Sequence, residues 1–283
     1  MTTVYFNGKF IPKEEVKISP DDRGFLFGDG VYEVVRWYEG FFYDMESHLT
    51  RLKRSLGELK IEWNNCDIFP SVARELIKLN YLEKQPAMIY IEVTRGAAKR
   101  SHSFPPKGTT PTVYAYAWGF TPDPVSKESG IKVLIKEDIR WSRCDIKSVA
   151  LLANTISFQE AYEKGMNECI FVRNRLYTEG TRSNLFFIID ETLFTHPESN
   201  YILSGVTRKN VLRIAGEAGI TIREEAVHES MTAFIQEAFI ANTSSEITPV
   251  TELGGNVLSD GMPGKLTRLI MARFEAEIRS LRG

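Results

Sequence analysis

Short alternating apolar runs and longer runs at helical spacing follow one another along this chain without regular order. Residues 4–6 and 10–11 flank Asn7-Gly8 and predict a hairpin with a type I′ turn. Residues 21–44, DDRGFLFGDGVYEVVRWYEGFFYD, place Gly24, Gly28 and Gly30 ahead of an alternating stretch over 31–35. Strands joined by glycine turns are expected there. Leu49, Leu52, Leu56 and Leu59 predict a helix over 48–60, with Arg51 and Arg54 among them. Asp67 reads as the cap of a second helix that carries Ile68, Val72, Leu76 and Ile77. Strands over 87–94 and 113–118 bracket a polar loop, RGAAKRSHSFPPKG.

Thr121-Pro122-Asp123-Pro124 is polar, proline-stiffened and set between two strand patterns. It predicts a boundary: a small N-terminal α+β domain over 1–119, a linker over 120–124, and a larger C-terminal α+β domain over 125–283 carrying Lys147. Ile131, Val133 and Ile135 alternate as a strand. An apolar helix is expected from near Ser148 to about Lys164, stopped by Gly165. Hairpins follow over 168–178, about Asn174, and over 185–195. Gly205-Val206-Thr207 opens a helix ended by Gly219, strands are expected over 220–222 and 238–242, and 264–281 reads as an amphipathic helix. Strands and helices mixed without βαβ alternation argue for α+β.

The chain has 283 residues, 43% apolar and 25% charged, enough for one large or two medium domains. A net charge of −2 offers no electrostatic case for nucleic acid or an anionic membrane. No apolar run approaches the ~20 residues of a spanning helix. The opening MTTVYFNGKFIP has no basic-then-apolar leader pattern. Cys66, Cys144 and Cys169 are few and uneven, so neither a disulfide framework nor zinc is expected, and a reducing cytoplasm is. His48, His102, His196 and His228 lack metal-ligand spacing, and no metal is expected.

Candidate chemistry begins at Lys147, between Ile146 and the apolar run that follows. Desolvation disfavours an ammonium, so such a lysine keeps more neutral, nucleophilic amine for Schiff-base chemistry with a carbonyl. The competing assignment is a surface lysine with its stem on the core. Leu203-Ser204-Gly205-Val206-Thr207-Arg208 runs from loop into helix, where N–H groups can meet an anion, and Thr243-Ser244-Ser245 offers a second donor cluster. Ordinary turns and caps account for either cluster alone. Glu179 sits between strand and turn, either solvated or paired with a buried cation. Arg100 and His102 alternate in the polar loop, so an extended backbone points both the same way, toward a carboxylate or simply toward solvent.

Taken together, DDRGFLFGDGVYEVV, HLTRL, TRGAAKRSHSFP, EDIRWSRCDIKSVALL, TEGTRSNLF, GVTR and NTSSEITPV resemble the fold-type IV pyridoxal-phosphate transaminases, most closely the D-amino acid transaminases. The resemblance implies a two-domain α+β fold with the active site between domains, and a homodimer. It implies that Lys147 forms the Schiff base with pyridoxal 5′-phosphate, that Glu179 meets the ring nitrogen, and that Arg51, Val206, Thr207 and Thr243 hold the phosphate. Tyr32, Arg100 and His102 would bind the substrate carboxylate. Arg182 stands where D-specific relatives run through small serines; it either turns outward or adds a second carboxylate contact. The activity implied is amino transfer from D-alanine or D-glutamate to 2-oxoglutarate or pyruvate by ping-pong chemistry. The alternatives are a branched-chain L-amino acid transaminase or a 4-aminobenzoate-forming lyase of the same fold, and a non-catalytic cofactor-binding protein.

Overall fold

The expected first hairpin forms: β1 (Thr3–Phe6) pairs antiparallel with β2 (Lys9–Pro12), and Asn7 and Gly8 take φ of 46° and 90°, as a type I′ turn requires. The structure is a computed structural model that describes residues 2–282. The glycine-rich stretch departs from the strands expected of it. Asp22 accepts a hydrogen bond from the Gly24 N–H and caps a short helix, α1 (Arg23–Phe27), and left-handed Gly28 at φ 66° ends it. β3 (Gly30–Trp37) follows, then α2 (Met45–Glu58), α3 (Phe69–Leu79), β4 (Ala87–Thr94) and β5 (Val113–Gly119). Asp67 does not cap α3. It lies in a 3-10 turn, exposed and paired with Lys53, and Ile68 precedes the helix with no side-chain cap. Pro70 in the first turn lacks the N–H that a cap would satisfy.

Two compact units result. The first comprises the chain up to Thr121, Ile146–Leu151 and Arg282. Its sheet runs β2-β1-β5-β4-β3, entirely antiparallel. Leu49, Leu52 and Leu56 of α2 and Val72, Leu76 and Ile77 of α3 pack in one core with Ile89, Ile91, Ala115 and Ala117 of the sheet.

Ile146–Leu151 belongs to this unit rather than to the larger C-terminal domain assigned to it above. The cause is backbone pairing. The Tyr32 N–H donates to the Lys147 carbonyl (3.0 Å), the Val149 N–H donates to the Gly30 carbonyl (3.0 Å), and Val31 bridges antiparallel to Ser148. The segment thus covers the outer edge of β3. A Cβ on Gly28 would lie 3.1 Å from the Ala150 Cβ, so the glycine also permits this close approach. The helix expected from near Ser148 accordingly starts later, at Leu152.

The second unit comprises Pro122–Asp145 and Leu152–Leu281. Its elements are α4 (Pro124–Ser129), β6 (Ile131–Glu137), α5 (Leu152–Glu163), β7 (Glu168–Arg173), β8 (Leu176–Gly180), β9 (Asn184–Ile189), β10 (Thr192–Thr195), α6 (Val206–Glu217), β11 (Thr221–Glu224), β12 (Glu237–Asn242), β13 (Glu246–Leu253), β14 (Asn256–Val257) and α7 (Lys265–Leu281). The sheet order is β11-β10-β9-β12-β13-β6-β7-β8, with β14 on β13. β8 also returns to β9 through Glu179 and Asn184, so β9, β12, β13, β6, β7 and β8 close on themselves. β13 escaped the sequence reading; it contains Pro249, which cannot donate to a ladder.

Candidate active site

In the first unit, β3 presents alternate residues to opposite faces. Val31, Glu33 and Val35 share the fully buried face, which puts one carboxylate among core aliphatics. Its partners come from α2. Arg51 Nε and Nη2 donate to the two Glu33 oxygens (2.7 and 2.8 Å), and His48 Nδ1 lies 2.8 Å from Oε2. Burial alone would raise the Glu33 carboxyl, but Arg51 and His48 outweigh it and hold it at about 2. Burial lowers the His48 imidazole, against the pull of Glu33 and with repulsion from Arg51 and Lys147. A neutral ring beside an ionised carboxylate donates through Nδ1.

Lys147 sits on the edge of the same strand. Its N–H donates to Ser55 Oγ of α2 (3.3 Å), and its Nζ lies 4.3 Å from the centroid of the Tyr32 ring. Tyr32 stacks in turn on Tyr90, at 5.6 Å between centroids. Among the described residues, no carboxylate pairs with the Lys147 amine. Arg100 and His102 are exposed and meet one ring: the Arg100 guanidinium lies 5.1 Å from the Phe27 centroid and the His102 ring 5.8 Å from it. The unit therefore groups Lys147 with Tyr32, Arg51 with Glu33 and His48, and Arg100 with His102.

In the second unit, Glu179 is buried where β8 meets β9. Arg140 Nη1 donates to its Oε1 (2.5 Å), and Asn184 Nδ2 and the Leu203 N–H donate to Oε2 (3.0 Å each). Burial raises this carboxyl above its ordinary value, and Arg140 offsets only part of the rise. Donors alone face it, which suits the carboxylate form. Asp138 takes the other edge of Arg140 through both oxygens, at 2.9 Å each. Glu168, also buried, accepts from the Thr181 N–H and hydroxyl and from Ser183 Oγ, and so holds the turn after Glu179.

α6 begins with Gly205 as its cap and no capping side chain, which leaves its N-terminal dipole and the Val206 and Thr207 amides as the donor set at that end. Thr207 is buried inside the first turn rather than capping it. After β12, Asn242 Oδ1 accepts from the amides and hydroxyls of Ser244 and Ser245 and shapes the turn that carries Thr243. Arg182 is exposed and lies over the Phe158 ring of α5, 4.5 Å from its centroid. The described residues hold no group of three or more His, Cys, Asp or Glu suited to a metal ion. No described helix is long and apolar enough to cross a membrane.

An amine over an aromatic ring, a buried carboxylate held by an arginine, and an uncapped helix start are parts suited to an anionic cofactor with a carbonyl and a basic ring nitrogen. Residues 30–253 match the family model described as amino-transferase class IV. The chain belongs to the class IV aminotransferases. This aminotransferase is 38% identical to a D-alanine aminotransferase of Staphylococcus haemolyticus over 99% of both chains. Its fold is similar to that of the Escherichia coli branched-chain amino acid aminotransferase, with a TM-score of 0.89 and 26% identity over 97% of this chain and 93% of that one. It is also similar to the branched-chain amino acid aminotransferase of Thermobaculum terrenum in its PLP-bound holo-form, with a TM-score of 0.83 and 21% identity over 98% of this chain and 94% of that one.

Sequence reasoning missed several residues of these clusters. Glu33 had a signal, a charge in register with Val31 and Val35 on an apolar face. His48 had one too, since it shares a helix stripe with Arg51 and Ser55. Arg140, Asp138 and Glu168 carried no local mark that sets them apart from surface charges.

Proposed function

We propose that this aminotransferase uses pyridoxal 5′-phosphate to move an amino group from a D-amino acid, D-alanine or D-glutamate, to 2-oxoglutarate or pyruvate in a ping-pong cycle. The observation that carries the reading is the Lys147 amine over the Tyr32 ring, paired with no described carboxylate, in a chain with full-length similarity to D-alanine aminotransferases. The cofactor fits the residues present by their chemistry. Its phosphate suits Arg51, the Val206 and Thr207 amides and Thr243, and its ring nitrogen suits Glu179. When bound, it supplies the carbonyl that takes up the amino group and the ring that draws off the electrons left at the substrate α-carbon.

The remaining work belongs to the chain. Lys147 Nζ lifts the proton from the substrate α-carbon in one half-reaction and supplies a proton to that carbon in the other. Glu179 keeps the ring-nitrogen proton in place, and Arg140 and Asn184 keep Glu179 in place. Glu33 fixes the plane of the Arg51 guanidinium that is to meet the phosphate. Tyr32, Arg100 and His102 receive the substrate carboxylate, with Arg182 as an outlying second cation. With the carboxylate so held, a D-amino acid turns its α-hydrogen to Lys147. An L-amino acid does so only by exchanging carboxylate and side chain, which leaves the cations facing an apolar group. The working form is a cytoplasmic homodimer that needs neither nucleic acid nor membrane.

The test is a half-reaction followed by cofactor absorbance, with D-alanine and L-leucine as donors and Lys147→Ala as the blank. D-alanine is expected to convert the band at least about a hundredfold more efficiently than L-leucine. Preference for L-leucine would put a branched-chain activity in its place.

A further inference from the structure

Arg23 belongs to none of the groups assigned above, yet it is 4% exposed and its guanidinium is held through both Nε and Nη1. Nε donates to Asp29 Oδ2 (2.8 Å), and Nη1 donates to the Ser101 carbonyl (2.7 Å) and, more weakly, to that of Ser103 (3.4 Å). Ser101 and Ser103 alternate with Arg100 and His102. One buried cation therefore grips the exposed loop on the two carbonyls that alternate with Arg100 and His102. The same guanidinium lies 4.7 Å from the centroid of Phe27, the ring that also receives Arg100 and His102.

The anchor is itself held. Asp29 binds Arg95 through both oxygens (2.7 and 2.9 Å), and Arg95 donates onward to the Leu59 and Lys60 carbonyls just past α2. Burial would raise the Asp29 carboxyl, but the two arginines hold it below the ordinary carboxylate range. At the loop's root, the Arg23 N–H donates to the Gly96 carbonyl, the Ala98 N–H donates to that of Asp21, and Asp22 bridges to Ala97. The backbone thus fixes the loop only as far as Ala98. Beyond it, Arg23 supplies the hydrogen bonds that tie residues 100–103 to the fold, beside the Phe27 ring that receives Arg100 and His102.

We propose that Arg23 is a positioning residue for the substrate carboxylate: through Asp29, the Ser101 and Ser103 carbonyls and Phe27, it sets where Arg100 and His102 stand. The proposal rests on the reading that those two residues receive the carboxylate. A loop without its tether samples many placements, and substrate binding then carries the cost of ordering it. The loss therefore falls on KM and spares the proton transfer at Lys147.

The test compares Arg23→Gln, Arg23→Lys, Arg100→Ala and the double variant Arg23→Gln/Arg100→Ala as holoenzymes. Arg23→Gln is expected to raise KM for D-alanine about tenfold with kcat within about threefold and cofactor absorbance as in wild type. Arg23→Lys, which keeps the charge and loses the fork, restores part of this. Beside Arg100→Ala, Arg23→Gln adds less than its full tenfold, because part of its effect runs through Arg100. Trypsin cleavage at Lys99 and Arg100 is expected to be faster in Arg23→Gln. If Arg23→Gln does not fold, Phe27→Leu removes the shared ring while keeping the salt bridges, with the same split in KM and kcat expected. An unchanged KM in Arg23→Gln beside a raised KM in Arg100→Ala overturns the positioning role alone. Fully multiplicative effects, or faster cleavage with unchanged KM, overturn it too. An unchanged KM in Arg100→Ala overturns the carboxylate reading and the proposal with it.

Discussion

Glu179 meets only donors: Arg140 on one oxygen, an amide side chain and a backbone N–H on the other. Glu179→Gln keeps the shape and removes the charge, so it separates a chemical role from a structural one. Arg140 retains both Asp138 oxygens, so the variant leaves no buried cation unpaired. Turnover is expected to fall by on the order of a hundredfold or more, because a neutral amide cannot hold a ring-nitrogen proton by charge. Melting temperature is expected to fall by only a few degrees. Normal turnover with a large drop in Tm would make Glu179 a strut rather than a participant. Lys147 and Glu179 could be singled out as candidates because each stands in a stretch whose wording carries the family resemblance. Arg140 stands in the same stretch as Lys147 and was still passed over, for its meaning lies in a partner 39 residues on.

At the scale of elements, α2 shows how much one helix can bury. Leu49, Leu52 and Leu56 form the apolar stripe that the sequence displays. Beside them His48, Arg51 and Ser55, also buried, turn a polar stripe to Glu33 and the Lys147 backbone. Periodicity foretold the helix and the first stripe. It was silent on the second, because a buried polar stripe and a solvated one look alike without the facing strand. This stripe gives stability a pH signature. The native His48 value lies below its ordinary 6.5, so on acidification the unfolded chain takes up that proton first. Stability therefore falls as pH drops below about 6.5. The Glu33 contribution is present above its ordinary 4.5 and is lost as pH falls from there toward about 2. Thermal melts of wild type and His48→Gln between about pH 5 and 7 should show a shallower slope in the variant. Parallel slopes would mean that another group titrates.

For the whole molecule, the α+β class and the break near Thr121 could be read from pattern and proline. The return of Ile146–Leu151 to the first unit could not, because pairing with β3 is a contact between distant stretches of chain. Length changes should discriminate these two places. A glycine inserted after Pro122 lengthens a connection and is expected to cost little in Tm and activity. A glycine inserted between Lys147 and Ser148 shifts the bridge by one residue and turns side chains to opposite faces. Activity is then expected to vanish, with a clear drop in Tm. Equal tolerance at both places would show that the edge pairing does not hold the lysine.

The two faces of β3 also bear on how this enzyme changes under selection. Glu33 and Val35 are committed to the interior, so most replacements there cost stability before any new activity appears. Tyr32 and Val34 point the other way and are only half buried. On the proposal that Tyr32 receives the substrate, variation that explores new substrates is channelled to every second codon of this strand. A mutagenesis library confined to those positions leaves the buried Glu33–Arg51 pair intact.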